Sequence, residues 1–206
     1  MTRVEATSDS QFRTNSYLVE DESTHDAVVI DANLEPELMV DLVRRRGVSV
    51  RAILLTHADI DHIAGLSRLR EAFGDVPIAV HEAERDSITR GQPMRREFPR
   101  TLPAFDNVES LTPGEPYRAG SLVFEVLHTP GHSPGGVTLQ IDDLLFTGDA
   151  LFAGSIGRSD FSNSDSGALL EGIRARLLTR PDSDQVLSGH GPASTVGRER
   201  QTNPFL

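Results

Sequence analysis

Seven residues of this chain stand out by type and spacing: His57, Asp59, Asp61 and His62 in one run, then His132, Asp149 and His190. Their contexts are Thr56-His57-Ala58-Asp59-Ile60-Asp61-His62, Thr129-Pro130-Gly131-His132, Thr147-Gly148-Asp149 and Gly189-His190-Gly191. Each context follows a stretch that reads as a strand, and loops at strand ends are where α/β folds build their sites. Glycines beside the candidates let such loops crowd around one point. Imidazole and carboxylate together suit Zn, Fe, Mn or Ni. The alternation of His57, Asp59 and Asp61, with His62 adjacent, lets one short loop present ligands to two ions. A lone His in a loop is ordinarily a surface or capping residue. Four His and three Asp recurring at four strand ends point instead to a metal centre.

The rest of the composition narrows the chemistry. The 206 residues contain no Cys, which removes thiolate ligands, disulfides and a cysteine nucleophile together and fits a reducing cytoplasm, the expected location. A net charge of −11 opposes a polyanionic partner, so no nucleic acid is expected. Residues 1–10 are polar, with Glu5 and Asp9, unlike a signal peptide, and no apolar run approaches the roughly 20 residues that span a bilayer, so no membrane partner is expected. One local exception to the acidity is Arg95, Arg96 and Arg100, which either greet an anionic substrate or decorate a solvated loop.

The elements that must carry these residues follow from periodicity. Residues 16–20 and 27–31 read as strands, and residues 36–46 as a helix closed by Gly47. Residues 50–56 (VRAILLT) form a continuous apolar run, as expected of a strand buried on both faces, and end at His57. A helix is predicted over 63–73, closed by Gly74, then a strand over 77–81. In the second half, residues 121–128, 137–141 and 144–147 read as strands, with Asp142-Asp143 as the turn of a hairpin. A helix over 166–178 and a strand over 185–188 complete the set, and the Pro- and Arg-rich residues 91–107 form a long loop. Alternating strands and helices in both halves predict a layered α/β sandwich in a single domain over 1–206.

The combined pattern resembles the metallo-β-lactamase-fold hydrolases over nearly the whole chain. The family's H-x-H-x-D-H run, followed by His, a bridging Asp and a final His, is matched by His57, Asp61, His62, His132, Asp149 and His190, with Asp59 standing where most members have His. Residues 129–136 (TPGHSPGG), 147–152 (TGDALF), 157–160 (GRSD) and 203–206 (NPFL) resemble the small glyoxalase II-like branch. The resemblance implies a four-layer αββα sandwich with the metal site at strand ends. It implies that His57, residue 59 and His132 bind a first ion, that Asp61, His62 and His190 bind a second, and that Asp149 bridges them. Two divalent ions, Zn first with Fe or Mn as alternatives, would lower the pKa of a shared water and polarise a carbonyl, and Asp61 would orient or deprotonate that water. Asp59 makes the first site harder and more anionic, favouring Fe or Mn, and its reach predicts a weakly held first ion. Ser133 and Ser188 are read as turn or packing residues.

The expected function is therefore hydrolysis of a thioester or related ester or lactone, with a small acyl compound as partner. Full glyoxalase II enzymes carry a C-terminal helical extension that helps bind glutathione; this chain stops at Leu206, so glutathione specificity is not expected to carry over. The alternative is an iron-dependent persulfide dioxygenase, which the stretch 157–161 (GRSDF) also resembles; a further alternative is a weakly active metal-binding module. Among the remaining candidates, His81 is placed near the site as wall or support and His128 in the preceding strand. His25 is read as surface, Arg158 and Asp160 as a pair within their loop, and Asn15 and Tyr17 as packing near the site.

Overall fold

The computed structural model describes residues 1–97 and 102–206. The first half folds as β1 (Thr2–Ser8), β2 (Asn15–Asp21), β3 (Asp26–Ile30), α1 (Pro36–Arg46), β4 (Ser49–Leu54), α2 (Ile60–Ile63), α3 (Leu66–Phe73), β5 (Ile78–Val80), α4 (Arg85–Thr89) and β6 (Val108–Ser110). The second half contains β7 (Tyr117–Ala119), β8 (Leu122–His128), β9 (Val137–Ile141), β10 (Leu144–Gly148), β11 (Leu151–Phe152), β12 (Ser155–Ile156), α5 (Ser166–Gly172), β13 (Gln185–Ser188), β14 (Ser194–Thr195) and α6 (Val196–Thr202). One six-stranded sheet runs β1-β2-β3-β4-β5-β6 and another β14-β13-β10-β9-β8-β7, with β11 and β12 pairing apart. β3 to β6 are parallel, as is the β10/β13 pair; the other pairings are antiparallel.

Burial explains the layers. Val28, Ile30 and Leu54 of the first sheet pack on Phe124, Leu139 and Phe146 of the second, and the Tyr17 and Phe146 rings meet edge-on at 5.2 Å. The outer face of the first sheet, through Val29, Ile53 and Leu55, packs on Met39, Val43, Leu66 and Leu69 of the helices. The outer face of the second, through Leu145 and Val186, packs on Leu169, Ile173 and Leu177. β3, β9 and β10 are buried at every position; β3 and β10 read as apolar runs, while β9 alternates apolar Val137, Leu139 and Ile141 with buried Thr138 and Gln140. The result is the αββα sandwich that the resemblance implied. Among the described residues, no helix is long and apolar enough to cross a membrane.

Several boundaries differ from the sequence reading. The polar N-terminus forms β1, an edge strand whose exposure gives it little apolar signal. The single helix over 63–73 is instead two, α2 and α3, broken beside Gly65. The backbone there packs so closely that an added Cβ would lie 2.5 Å from the Asn33 carbonyl oxygen. The helix over 166–178 widens after α5 into a turn over Ile173–Leu177, with the Leu178 N–H bonded to the Ile173 carbonyl. β6, β7, β11, β12 and β14 have two or three residues each, too few to express a period. Within the 91–107 loop, 98–101 lie outside the described residues, and Arg100 of the arginine cluster with them.

Candidate metal centre

All four ligand-bearing loops open at one end of the sandwich. His57 follows β4, and Asp31, just past β3, organises the turn it sits in. The Asp31 carboxylate accepts the Thr56 backbone N–H and the Thr56 hydroxyl, each at 2.8 Å, and the His62 Nδ1–H at 2.9 Å. This leaves His62 Nε2 facing the site, the usual arrangement for a metal-binding imidazole with a carboxylate behind it. Glu84, buried, ties two loops together by accepting the N–H of Ala58 at 2.5 Å and of Gly135 at 2.7 Å. His132 is oriented by Nδ1–H donating to the Arg158 carbonyl at 2.7 Å, and His190 by donating to the Phe12 carbonyl at 3.1 Å. The His190 loop is pinned by Tyr17 and Asn15, which donate to the Ser188 carbonyl at 2.7 and 3.0 Å. Gly189 is required by close approach, since a Cβ there would meet Asp149 Oδ1 at 2.3 Å.

The seven candidates converge. Ligand atoms of Asp61, His62 and His190 lie within 4.8 Å of one another, as do those of His57, His132 and Asp149. Asp149 touches both groups, with Oδ1 3.3 Å from His62 Nε2 and Oδ2 3.5 Å from His190 Nε2 and 3.6 Å from His132 Nε2. Among the described residues, His57 Nε2, His62 Nε2 and Asp149 Oδ1 are buried without a hydrogen-bond partner. Buried polar atoms left unpaired are costly, so three of them aimed at one space fit a metal ion that would satisfy them.

Asp59 is in the cluster but differently engaged. Its Oδ2 is 2.9 Å from His132 Nε2 and 3.7 Å from His57 Nε2, yet both carboxylate oxygens accept from Arg95 Nε, at 2.6 and 2.8 Å. Arg95, whose side chain is only 2% exposed, is therefore an inner residue of the site rather than part of a solvated loop. The sequence singled it out as one of an arginine cluster but did not reveal that its partners are Asp59 and His132. Asp31, Glu84 and Thr14, whose hydroxyl donates to Asp61 Oδ2 at 2.8 Å, were missed. His81 and His128 stack on each other at 4.6 Å and belong to neither ligand group, while the His25 side chain is 63% exposed beside Glu20. Arg158 and Asp160 pair at 2.9 Å, as expected. Beside the ligands lies a cavity of about 470 Å³ whose wall includes Phe12, Ile60, Met94, Phe152, Ile156 and Phe161.

Charge sets the behaviour of the metal-free site. Burial opposes ionisation of Asp61 and Asp149, but His62 and His190 outweigh it and hold both well below the usual carboxylate range. Burial would likewise lower His190, yet its contacts with Asp149 and Asp61 push it up to about 10. His62 is raised as well, with Asp61 and Asp149 prevailing over burial. A protonated imidazole cannot ligate, so protons compete with the metal and rising pH favours uptake. Apparent affinity is expected to climb with pH until His190 loses its proton at about pH 10, with net proton release at neutral pH. Calorimetry in buffers of different ionisation enthalpy checks this; heats independent of the buffer would contradict it. Asp31→Asn is expected to weaken metal binding roughly 10- to 100-fold by loosening His62, measured by competition against a chromophoric chelator.

Comparison with known proteins agrees with this geometry. The family model described as the metallo-beta-lactamase superfamily matches residues 10–194. A probable metallo-hydrolase, YqgX of Bacillus subtilis, is 37% identical over 197 residues, covering 92% of this chain and 90% of its own. Hydroxyacylglutathione hydrolase GloC of Haemophilus influenzae is 31% identical over 204 residues, covering 95% and 93%. Among solved structures, TTHA1623 in a di-iron-bound form superposes with a TM-score of 0.85 at 36% identity, covering 98% of this chain and 100% of its own. By sequence and by fold, with imidazoles and carboxylates that could hold metal gathered at its strand ends, this chain belongs to the metallo-β-lactamase superfamily.

Proposed function

We propose that this protein is a metal-dependent hydrolase of a thioester or related ester or lactone with a small apolar acyl group. The observation that carries the reading is two ligand groups joined by Asp149 at the floor of a cavity with an apolar wall. Divalent ions held by His57, His132 and Asp149 and by Asp61, His62 and His190 would supply Lewis acidity and a water of lowered pKa. Asp61 lines the cavity, and the Thr14 hydroxyl donating at 2.8 Å fixes its Oδ2. Ionised near neutrality, this carboxylate is placed to orient a water by accepting a hydrogen bond from it. Phe12, Ile60, Met94, Phe152, Ile156 and Phe161 give the acyl chain an apolar wall and keep bulk water from its carbonyl. Among the described residues lining the cavity, both arginines are matched by carboxylates: Arg95 by Asp59 and Arg158 by Asp160. This favours an uncharged acyl group over one bearing several carboxylates.

The test is a panel of thioesters, esters and lactones offered to protein loaded separately with Zn, Fe and Mn. Turnover that rises with acyl length until the cavity is filled is expected. Inactivity on the whole panel at every loading would overturn the reading.

A second reading, an iron-dependent persulfide dioxygenase, draws support from one observation. His57, His132 and Asp149 form a group of two imidazoles and one carboxylate without help from Asp59, the ligand set of many mononuclear non-haem iron sites. Oxygen uptake and sulfite formation from glutathione persulfide by iron-loaded protein would favour it over hydrolysis.

A further inference from the structure

Arg95 is built into the site from every side. Besides Asp59, it reaches His132 through Nη2, which lies 3.0 Å from both Nε2 and the carbonyl oxygen. Its Nη1 donates to Asn163 Oδ1 at 2.8 Å and to the Ser164 hydroxyl at 3.3 Å. The guanidinium carbon lies 4.0 Å above the Phe161 ring. A buried arginine with each nitrogen engaged is held in place, because withdrawing it would leave several polar groups unpaired.

We propose that this guanidinium competes with the ion of the His57–His132–Asp149 position, so that the two metal positions fill in order, the Asp61–His62–His190 position first. The inference rests on reading these residues as a metal centre. Two observations carry it. First, an ion at the His57–His132–Asp149 position needs the lone pair of His132 Nε2. With Nδ1–H committed to the Arg158 carbonyl, Nε2 is the atom that would face the ion, and the approach to it is held by Arg95 Nη2 at 3.0 Å and by Asp59 Oδ2 at 2.9 Å, the two halves of one ion pair. Second, the charges around the two positions differ. Asp61 and Asp149 face the Asp61–His62–His190 position, with Asp31 directly behind His62. The other position shares Asp149 with the first but looks onto a buried cation, and the further carboxylate beside His132, Asp59, is already neutralised by that cation. One dication balances Asp61 and Asp149; a second must enter beside Arg95, where like charges repel in a poorly solvated space. Loading it requires Nη2 to leave His132.

The experiment is titration of metal-free protein with Zn²⁺ alone and with Co²⁺ alone, followed by chelator competition and elemental analysis. Wild type is compared with R95M and with the neutral pair D59N/R95M, and thermal unfolding reports whether each variant is folded. Wild type should bind one ion tightly and a second at least tenfold more weakly. Both variants should tighten the second ion at least tenfold and leave the first unchanged. D59N/R95M keeps the test decisive if R95M, with Asp59 left unpaired, does not fold. H132A should lose only the weak ion. Two ions of equal affinity in wild type would overturn the inference, as would loss of the tight ion in H132A. Weakening of the second ion in D59N/R95M would also overturn it, by making Asp59 a ligand that Arg95 holds in place. Each of these results leaves the hydrolase reading standing, whereas binding of no ion at all would overturn both.

Discussion

Asp149→Asn is expected to reduce hydrolysis on the order of a thousandfold and to lower the number of tightly bound ions. The reason is position. Asp149 places Oδ1 toward His62 and Oδ2 toward His132 and His190, so it touches both ligand groups. The amide keeps the shape of the side chain but loses its negative charge and one acceptor. The imidazoles around it would then gather cations with a single carboxylate, Asp61, left to balance them, Asp59 being matched by Arg95. The αββα core lies elsewhere, among residues such as Phe124, Leu139 and Phe146, so the variant should remain folded. Elemental analysis with a thioesterase assay on the best substrate of the panel measures both effects. Wild-type turnover with full metal content would contradict the bridging position.

Gly189→Ala is expected to damage the same centre without altering any ligand. An added Cβ would lie 2.3 Å from Asp149 Oδ1, 2.7 Å from His62 Cε1 and 3.2 Å from the Gly148 carbonyl carbon. Neither side chain can yield freely. His62 is anchored by Asp31, and Asp149 is walled in by three imidazoles. The methyl group must therefore push ligands apart or shift the β13 loop, at a cost of roughly 1–3 kcal/mol in stability for overpacking. Metal affinity should fall about a hundredfold, since ligands must be held to within fractions of an ångström. Gly172→Ala is the matched control. It lies in a helix with right-handed backbone angles, and its nearest contact would be an ordinary 3.4 Å from the Thr129 Cα. That variant should be neutral or stabilised by about 0.5–1 kcal/mol, with metal binding intact. Equal metal affinity in the two alanine variants, followed by the same chelator competition, would remove Gly189 from the design of the site.

The longer elements were legible in the sequence because they are covered on one or both faces. β3, β4, β10 and β13 announce themselves by adjacent apolar residues, β9 by strict alternation, and α1 by its spacing and the Gly47 that ends it. β1 and the strands of two or three residues did not, because exposed edges and very short pairings carry no period. The break between α2 and α3 was hidden for another reason. It depends on how near the Asn33 carbonyl comes to Gly65, a distance between segments that no local pattern records.

What the sequence by itself determined is the chemistry available and where along the chain it lies. Imidazoles and carboxylates sit at four strand ends, beside glycines, with no thiol anywhere, and a strand end is a local feature that neighbouring residues encode. What only the tertiary structure decided is how those groups are partnered. Asp31 stands behind His62, 31 positions away, and Glu84 joins the loops of Ala58 and Gly135. Most consequential is Arg95, which reaches Asp59 across 36 positions and His132 across 37 from a segment with no secondary structure. A side-chain bond between distant loops depends on the course of the chain through space, and polar residues in an irregular loop leave no periodic trace of it. So the residue type at position 59 signalled an unusual site, while the cation that answers it became visible only once the loop was folded over the site.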